Sequence, residues 1–215
     1  MSKRQDFHFL HVTKAGGKLF KSVVRAEDIA LKVKIMCHDH VINRTDLPRK
    51  SRIIIGIRDP IQRFISGYYS PLRFVRGELA RLPVPLQEFY CTYPTVEDAI
   101  RAFSEEPPRV SALSLNQHLG IYQSLTYWLG KVPDINDVFF YETGSLVRLY
   151  SKGVDERTHT TAADYQLDAE TLESLSYSLR SEYCLVDLLK DEAINILPEN
   201  DGSNFLDRLE KISRG

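Results

Sequence analysis

A short apolar strand that breaks into a double-glycine turn and resumes as an amphipathic helix restricts this chain more than any other feature. The stretch is Phe7-His-Phe-Leu-His-Val-Thr-Lys-Ala-Gly-Gly-Lys-Leu-Phe-Lys-Ser-Val-Val24. Phe7 to Val12 reads as a buried strand and Thr13 to Gly17 as a tight turn. Leu19, Phe20, Val23 and Val24 then mark the inner face of a helix whose outer face carries Lys18, Lys21, Ser22 and Arg25. Gly16 and Gly17 let the backbone bend sharply and bring its N–H groups toward a ligand. The helix start adds further N–H groups and the positive end of its dipole. With Lys14 and Lys18 bracketing the turn, the segment predicts an anion site suited to a nucleotide phosphate.

The pattern occurs a second time. Ile53-Ile-Ile-Gly-Ile57 is β-branched and almost wholly apolar, as a parallel strand covered on both faces requires. It ends at Arg58-Asp-Pro60, where Asp59 caps a helix and Pro60 takes the first helical position, which needs no N–H. Ile61, Phe64, Ile65, Tyr68 and Leu72 form a core-facing stripe, while Arg63, Ser66 and Ser70 share another face. Each strand thus delivers glycine-rich or cationic chemistry at its end, where open α/β sheets bind ligands.

Elsewhere the pattern predicts strands at Val33 to Met36 and Asp137 to Tyr141. Helices are expected at Val96 to Phe103, Leu113 to Leu129, Glu142 to Tyr150 and Asp168 to Ile196, the last broken near Arg180, with a short helix near the end of the chain. Residues 73–94, with Pro83, Pro85 and Pro94, read as an irregular insertion or lid. No repeat or linker is visible, so residues 1–215 are expected to form a single α/β domain with helices at 168–215.

Composition excludes several classes. A net charge of −1 removes the bulk electrostatic case for nucleic-acid binding. Three dispersed cysteines, Cys37, Cys91 and Cys184, argue against a disulfide framework or zinc site and suit a reducing compartment. No apolar run has membrane-spanning length, and Met1 to Asp6 leads into the first strand without a signal-peptide core. The expected location is the cytoplasm.

Taken singly, each motif has a plain structural reading. The Lys14–Lys18 segment is not a kinase-type phosphate loop: Val12 stands where its first glycine belongs and Leu19 where its magnesium-binding Ser or Thr belongs. It could be a glycine turn alone. Arg58 and Ser66 suit two-sided capture of an anion, but Arg58 could equally pair with a carboxylate. His38-Asp39-His40 has too few ligands for a metal site and could be structural.

Together, Thr13-Lys-Ala-Gly-Gly-Lys18 and Arg58-Asp-Pro-Ile-Gln-Arg-Phe-Ile-Ser-Gly-Tyr68 resemble the sulfotransferases that use 3′-phosphoadenosine 5′-phosphosulfate. The likeness is to the carbohydrate branch, most of all the heparan sulfate 2-O-sulfotransferases and bacterial relatives, and covers roughly the first 75 residues. It implies a three-layer, P-loop-like α/β fold with a central, mainly parallel sheet. It also implies that Lys14, Ala15, Gly16, Gly17, Lys18 and Leu19 hold the 5′-phosphosulfate, with Arg58 and Ser66 on the 3′-phosphate. The relatives carry a His-x-His segment after the second strand with the base at its second histidine. This points to His40, with His38 in reserve and Asp39 as an acidic alternative. Imidazole is suited to accept a hydroxyl proton near neutral pH. Lys14 is expected to stabilise the leaving phosphate, no metal is required, and the acceptor is a hydroxyl, on a carbohydrate by family likeness. Two positions depart from the family: Lys18 replaces a Thr or Ser, giving charge without the hydroxyl geometry, and Thr13 replaces a frequent proline. The rival expectations are a nucleotide phosphotransferase that uses Lys18 and Arg58 with magnesium, and a nucleotide- or sulfated-glycan-binding module without catalysis.

Overall fold

The β-branched run Arg52–Ile57 is the middle of a five-stranded parallel sheet, and its Ile53, Ile54, Ile55 and Ile57 are buried. The computed structural model describes residues 6–27, 33–105, 108–109, 124–130, 135–150, 167–197 and 205–214. In chain order its strands are β1 (Asp6–Leu10), β2 (Lys34–Cys37), β3 (Arg52–Ile57), β4 (Val138–Glu142) and β5 (Ile194–Asn195). Its helices are α1 (Gly17–Glu27), α2 (Pro60–Phe74), α3 (Val84–Thr92), α4 (Val96–Ser104), α5 (Leu125–Leu129), α6 (Thr143–Tyr150), α7 (Ala169–Ser178), α8 (Arg180–Glu192) and α9 (Phe205–Arg214). The chain packs as two compact units, Met1–Arg58, Leu125–Thr158 and Leu185–Gly215 in the first, Asp59–Ser124 and His159–Cys184 in the second.

The first unit holds the sheet, in the order β2-β1-β3-β4-β5 with every neighbouring pair parallel. Alternation along β1 divides its side chains between two cores. Phe7 and Phe9 join Phe20, Val23 and Val24 of α1, Leu146 of α6 and Leu209 of α9. Leu10 joins Ile53 and Ile55 of β3, Trp128 of α5 and Val186 and Leu189 of α8. Helices therefore cover both sheet faces, as the continuous apolar strands require. This is the expected three-layer α/β arrangement. Strand order reverses between β1 and β3, so their C-terminal ends flank the position where ligands enter open parallel sheets.

The second unit is helical among its described residues. Asp59 caps α2 by accepting from the N–H of Gln62 at 2.8 Å, with Pro60 in the first turn. The predicted stripe is its core: Phe64, Ile65 and Tyr68 are buried with Phe89, Tyr90, Ile100, Phe103 and Leu175, and Ile61 and Leu72 pack against them. Thr95 and Asp98 close a reciprocal capping box at the start of α4.

Two expectations meet a different structure. The 73–94 stretch is ordered, with a 3₁₀ turn at Leu79–Arg81 and helix α3. Pro83 and Pro85 do not break α3 because they sit at its N-cap and in its first turn, where proline is tolerated. The helix predicted over Asp168 to Ile196 breaks at Leu179 but ends at Glu192, and its last residues form the edge strand β5 beside β4. Most of the helix predicted over Leu113 to Leu129 lies outside the described residues, which take it up at Ser124. No helix among the described residues is long and apolar enough to cross a membrane.

Candidate functional site

The glycine turn is built by the two strands it adjoins. The N–H of Val12 donates to Leu10 O at 2.9 Å, Lys14 and Gly16 turn the chain with φ of 61° and 75°, and Phe20 N–H closes the first turn of α1 on Gly16 O at 3.1 Å. A positive φ costs glycine nothing but costs a lysine, so Lys14 is held in place by its surroundings. Two of the holding contacts are clear. Arg58 Nη1 donates to Lys14 O at 3.4 Å, and the Tyr141 hydroxyl donates to Ala15 O at 3.2 Å. Burial raises the Tyr141 phenol pKa well above its usual value, which keeps it a donor. Gly56 gives these groups room: a Cβ there would overlap Ala15 O and lie 2.6 Å from Tyr141 Oη. The Thr143 hydroxyl adds a bond to Ile57 O at 3.0 Å, fixing the end of β3. Arg58 and Lys14, predicted from separate motifs, are thus joined at the ends of adjacent strands.

Beside this turn stand four imidazoles in two pairs. His40 Nδ1 lies 2.7 Å from His11 O, and the two rings lie 3.8 Å apart, centre to centre, at 32°. A carbonyl only accepts, so Nδ1 of His40 carries the proton and Nε2 of the neutral ring keeps its lone pair. Burial lowers the His40 pKa, the His11 carbonyl opposes this, and Lys21 and then Lys14 lower it again. His40 is therefore a neutral base candidate at pH 7. It is exposed enough for solvent to reach it, and it lies within electrostatic range of Lys14.

His38 is placed differently. Its Nε2 lies 2.9 Å from His8 Nδ1, and the rings are parallel to 2° with centres 5.2 Å apart. That spacing fits an edge-to-edge N–H···N bond better than a face-to-face stack. Asp39 is almost fully exposed and pairs with Lys21 at 3.4 Å. No group of three or more His, Cys, Asp or Glu side chains among the described residues could hold a metal ion.

The remaining predicted residues take their places around the turn or in the other unit. Ala15 and Gly17 are buried, Gly16 packs against Thr143, Leu19 borders the α1 core, and the Lys18 side chain is exposed. Ser66 belongs to the second unit, where its carbonyl accepts from Arg73 Nη2 at 3.5 Å. The arginine–carboxylate pair of the second motif is made by Arg63, buried with Glu182 at 3.1 Å, while Arg58 bonds the glycine turn.

His8 lies in β1 and His11 just after it, and each meets a histidine of the His38–His40 segment. The signal was present as two histidine pairs, His8/His11 and His38/His40, in or just after consecutive strands. It becomes legible only once β1 and β2 are known to run side by side, with Phe9 opposite Cys37. Comparison with family models, with curated proteins and with solved structures finds no match to this chain.

Proposed function

We propose that this chain is a sulfotransferase with a P-loop-like fold, moving a sulfuryl group from 3′-phosphoadenosine 5′-phosphosulfate to an acceptor hydroxyl. The observation that carries the reading is the joining of Lys14, Arg58 and His40 at the ends of β1, β2 and β3, with His40 held by Nδ1 so that Nε2 is the basic atom.

The residues fit such a donor. The turn and the start of α1 supply N–H groups from Ala15 to Leu19 for a 5′-phosphate, with helix polarity in their favour. Arg58 supplies a planar donor set suited to phosphate. Ser66 is assigned to the 3′-phosphate by its place in the Arg58–Tyr68 motif alone. In the reaction, His40 Nε2 takes the hydroxyl proton as the acceptor oxygen bonds to sulfur. The bond from sulfur to the bridging phosphate oxygen breaks, its electron pair stays on that oxygen, and Lys14 with the turn N–H groups stabilises the charge. The scheme requires no metal. A carbohydrate acceptor and a cytoplasmic location belong to the same proposal, resting on family likeness and on sequence.

The test is transfer from radiolabelled donor to a panel of carbohydrate, lipid, alcohol and tyrosyl-peptide acceptors. Labelled product from one class, lost in His40→Ala, is the expected outcome. Undiminished transfer by His40→Ala removes His40 from its role. Binding of the donor with no transfer across the panel favours the binding module.

A further inference from the structure

The ring of His11 fills the space between the glycine turn and His40. A Cβ on Gly17 would overlap Cδ2 and Nε2 of that ring and lie 3.0 Å from its Cγ, so the imidazole rests on the bare backbone of the first residue of α1. Its other side meets the His40 ring, and the carbonyl of the same residue accepts the Nδ1 proton of His40. His11 is itself buried, at 8% exposure. One residue therefore touches both the helix start that would receive phosphate and the ring that would take a proton.

We infer that His11 is a positioning residue whose imidazole, wedged between Gly17 and His40, couples the seating of an anion at the start of α1 to the orientation of the base. The inference builds on the sulfotransferase reading, but the wedge itself is a property of the unliganded chain. Gly17 is required because any side chain there displaces the wedge, and a displaced wedge lets the His40 ring turn about its bond to His11 O. A protonated His11 would serve badly beside His40, Lys18 and Lys21, with only Asp39 opposing them. Burial first and His40 second hold its pKa down at about 3, so the wedge stays neutral. Around His40 the charged groups are Lys14 of the turn, Lys21 of α1 and its neighbour Asp39. Removing the His11 ring exposes His40 further and lets its pKa rise.

Long-range ¹H–¹⁵N spectra of the histidine rings in the full chain, titrated with pH, test this directly. Wild type should show His40 as a single Nδ1–H tautomer with a midpoint below the ordinary imidazole value. His11→Ala and Gly17→Ala should each mix the tautomers and shift the midpoint, and the double variant should lose less than the sum of the two single losses, since the clash needs both partners. Either single variant, folded by circular dichroism and with the His40 tautomer and midpoint of wild type, overturns the wedge. Gly17→Ala keeps the question decidable should His11→Ala fail to fold. In the transfer assay His11→Ala should lower kcat by about 10²-fold, the scale of an ångström's misplacement, with acceptor KM nearly unchanged. Absence of transfer by wild type itself strikes the sulfotransferase reading, and the spectra still decide the wedge.

Discussion

His40 is an imidazole whose acceptor-bound nitrogen and basic nitrogen are told apart by a single hydrogen bond. Its pKa is pulled below the ordinary 6.5, first by burial, so the ring is neutral through physiological pH. The kcat of transfer should therefore rise with pH only on the acid side of 6.5 and be flat through neutrality. An acid limb with its midpoint above that value contradicts the assignment. His40→Ala should lower kcat by about 10²–10⁴-fold, the usual contribution of a general base, with nucleotide binding retained. At this scale the sequence was half legible. Lys14 and Arg58 could be chosen because each follows an apolar strand, and strand ends face ligands. The difference between Arg58 and Arg63 could not, because the partner of Arg63, Glu182, is 119 residues away along the chain. His11 was hidden for a similar reason: its role depends on the neighbouring strand.

At the scale of elements, the turn is held from beneath by β3 and β4. Gly56→Ala would place a methyl group against Ala15 O and the Tyr141 hydroxyl. Overpacking of that kind costs about 1–3 kcal/mol. Denaturant unfolding should show this loss, while Gly144→Ala in α6, where a Cβ meets open space, should be neutral or stabilising. Equal stability of the two variants contradicts the proposed support. In the second unit, Arg63→Ala takes the guanidinium away from the buried Glu182 carboxylate, a loss of about 3–5 kcal/mol. Arg63→Met with Glu182→Leu should recover most of it; a double variant no better than the single one contradicts the pairing. Strands β1 to β4, the cap at Asp59 and the stripe of α2 were readable because local chemistry and tertiary packing ask for the same residues. Strand β5 was not, since two residues carry no periodicity and only pairing with β4 makes them a strand. The prolines near α3 misled because their meaning depends on whether they fall inside a helix or at its start.

At the scale of the whole molecule, the strand order 2-1-3-4-5 brings the Lys14 turn and Arg58 to the ends of adjacent strands, because its reversal point lies between β1 and β3. The same region makes stability depend on acid. His8, His11, His38 and His40 all have folded pKa values below 6.5, so below that pH the unfolded chain binds protons that the folded chain refuses. Their contribution is complete above the unfolded pKa and is lost as pH falls, for His11 down to about 3. Each such proton adds about 1.4 kcal/mol per pH unit to the slope. Unfolding free energies of wild type and His11→Asn, compared between pH 6 and pH 4 (a window of about two units below the imidazole range), should diverge by roughly one proton's slope. Parallel curves contradict a neutral, buried His11.

The most direct measurement of all is isothermal titration of the full chain with adenosine 3′,5′-bisphosphate and with ATP, each with and without magnesium. A donor seated between the Lys14 turn and Arg58 should make the bisphosphate bind more tightly than ATP, indifferently to magnesium, with Arg58→Ala weakening it. Preference for ATP with magnesium, or bisphosphate binding untouched by Arg58→Ala, contradicts the site.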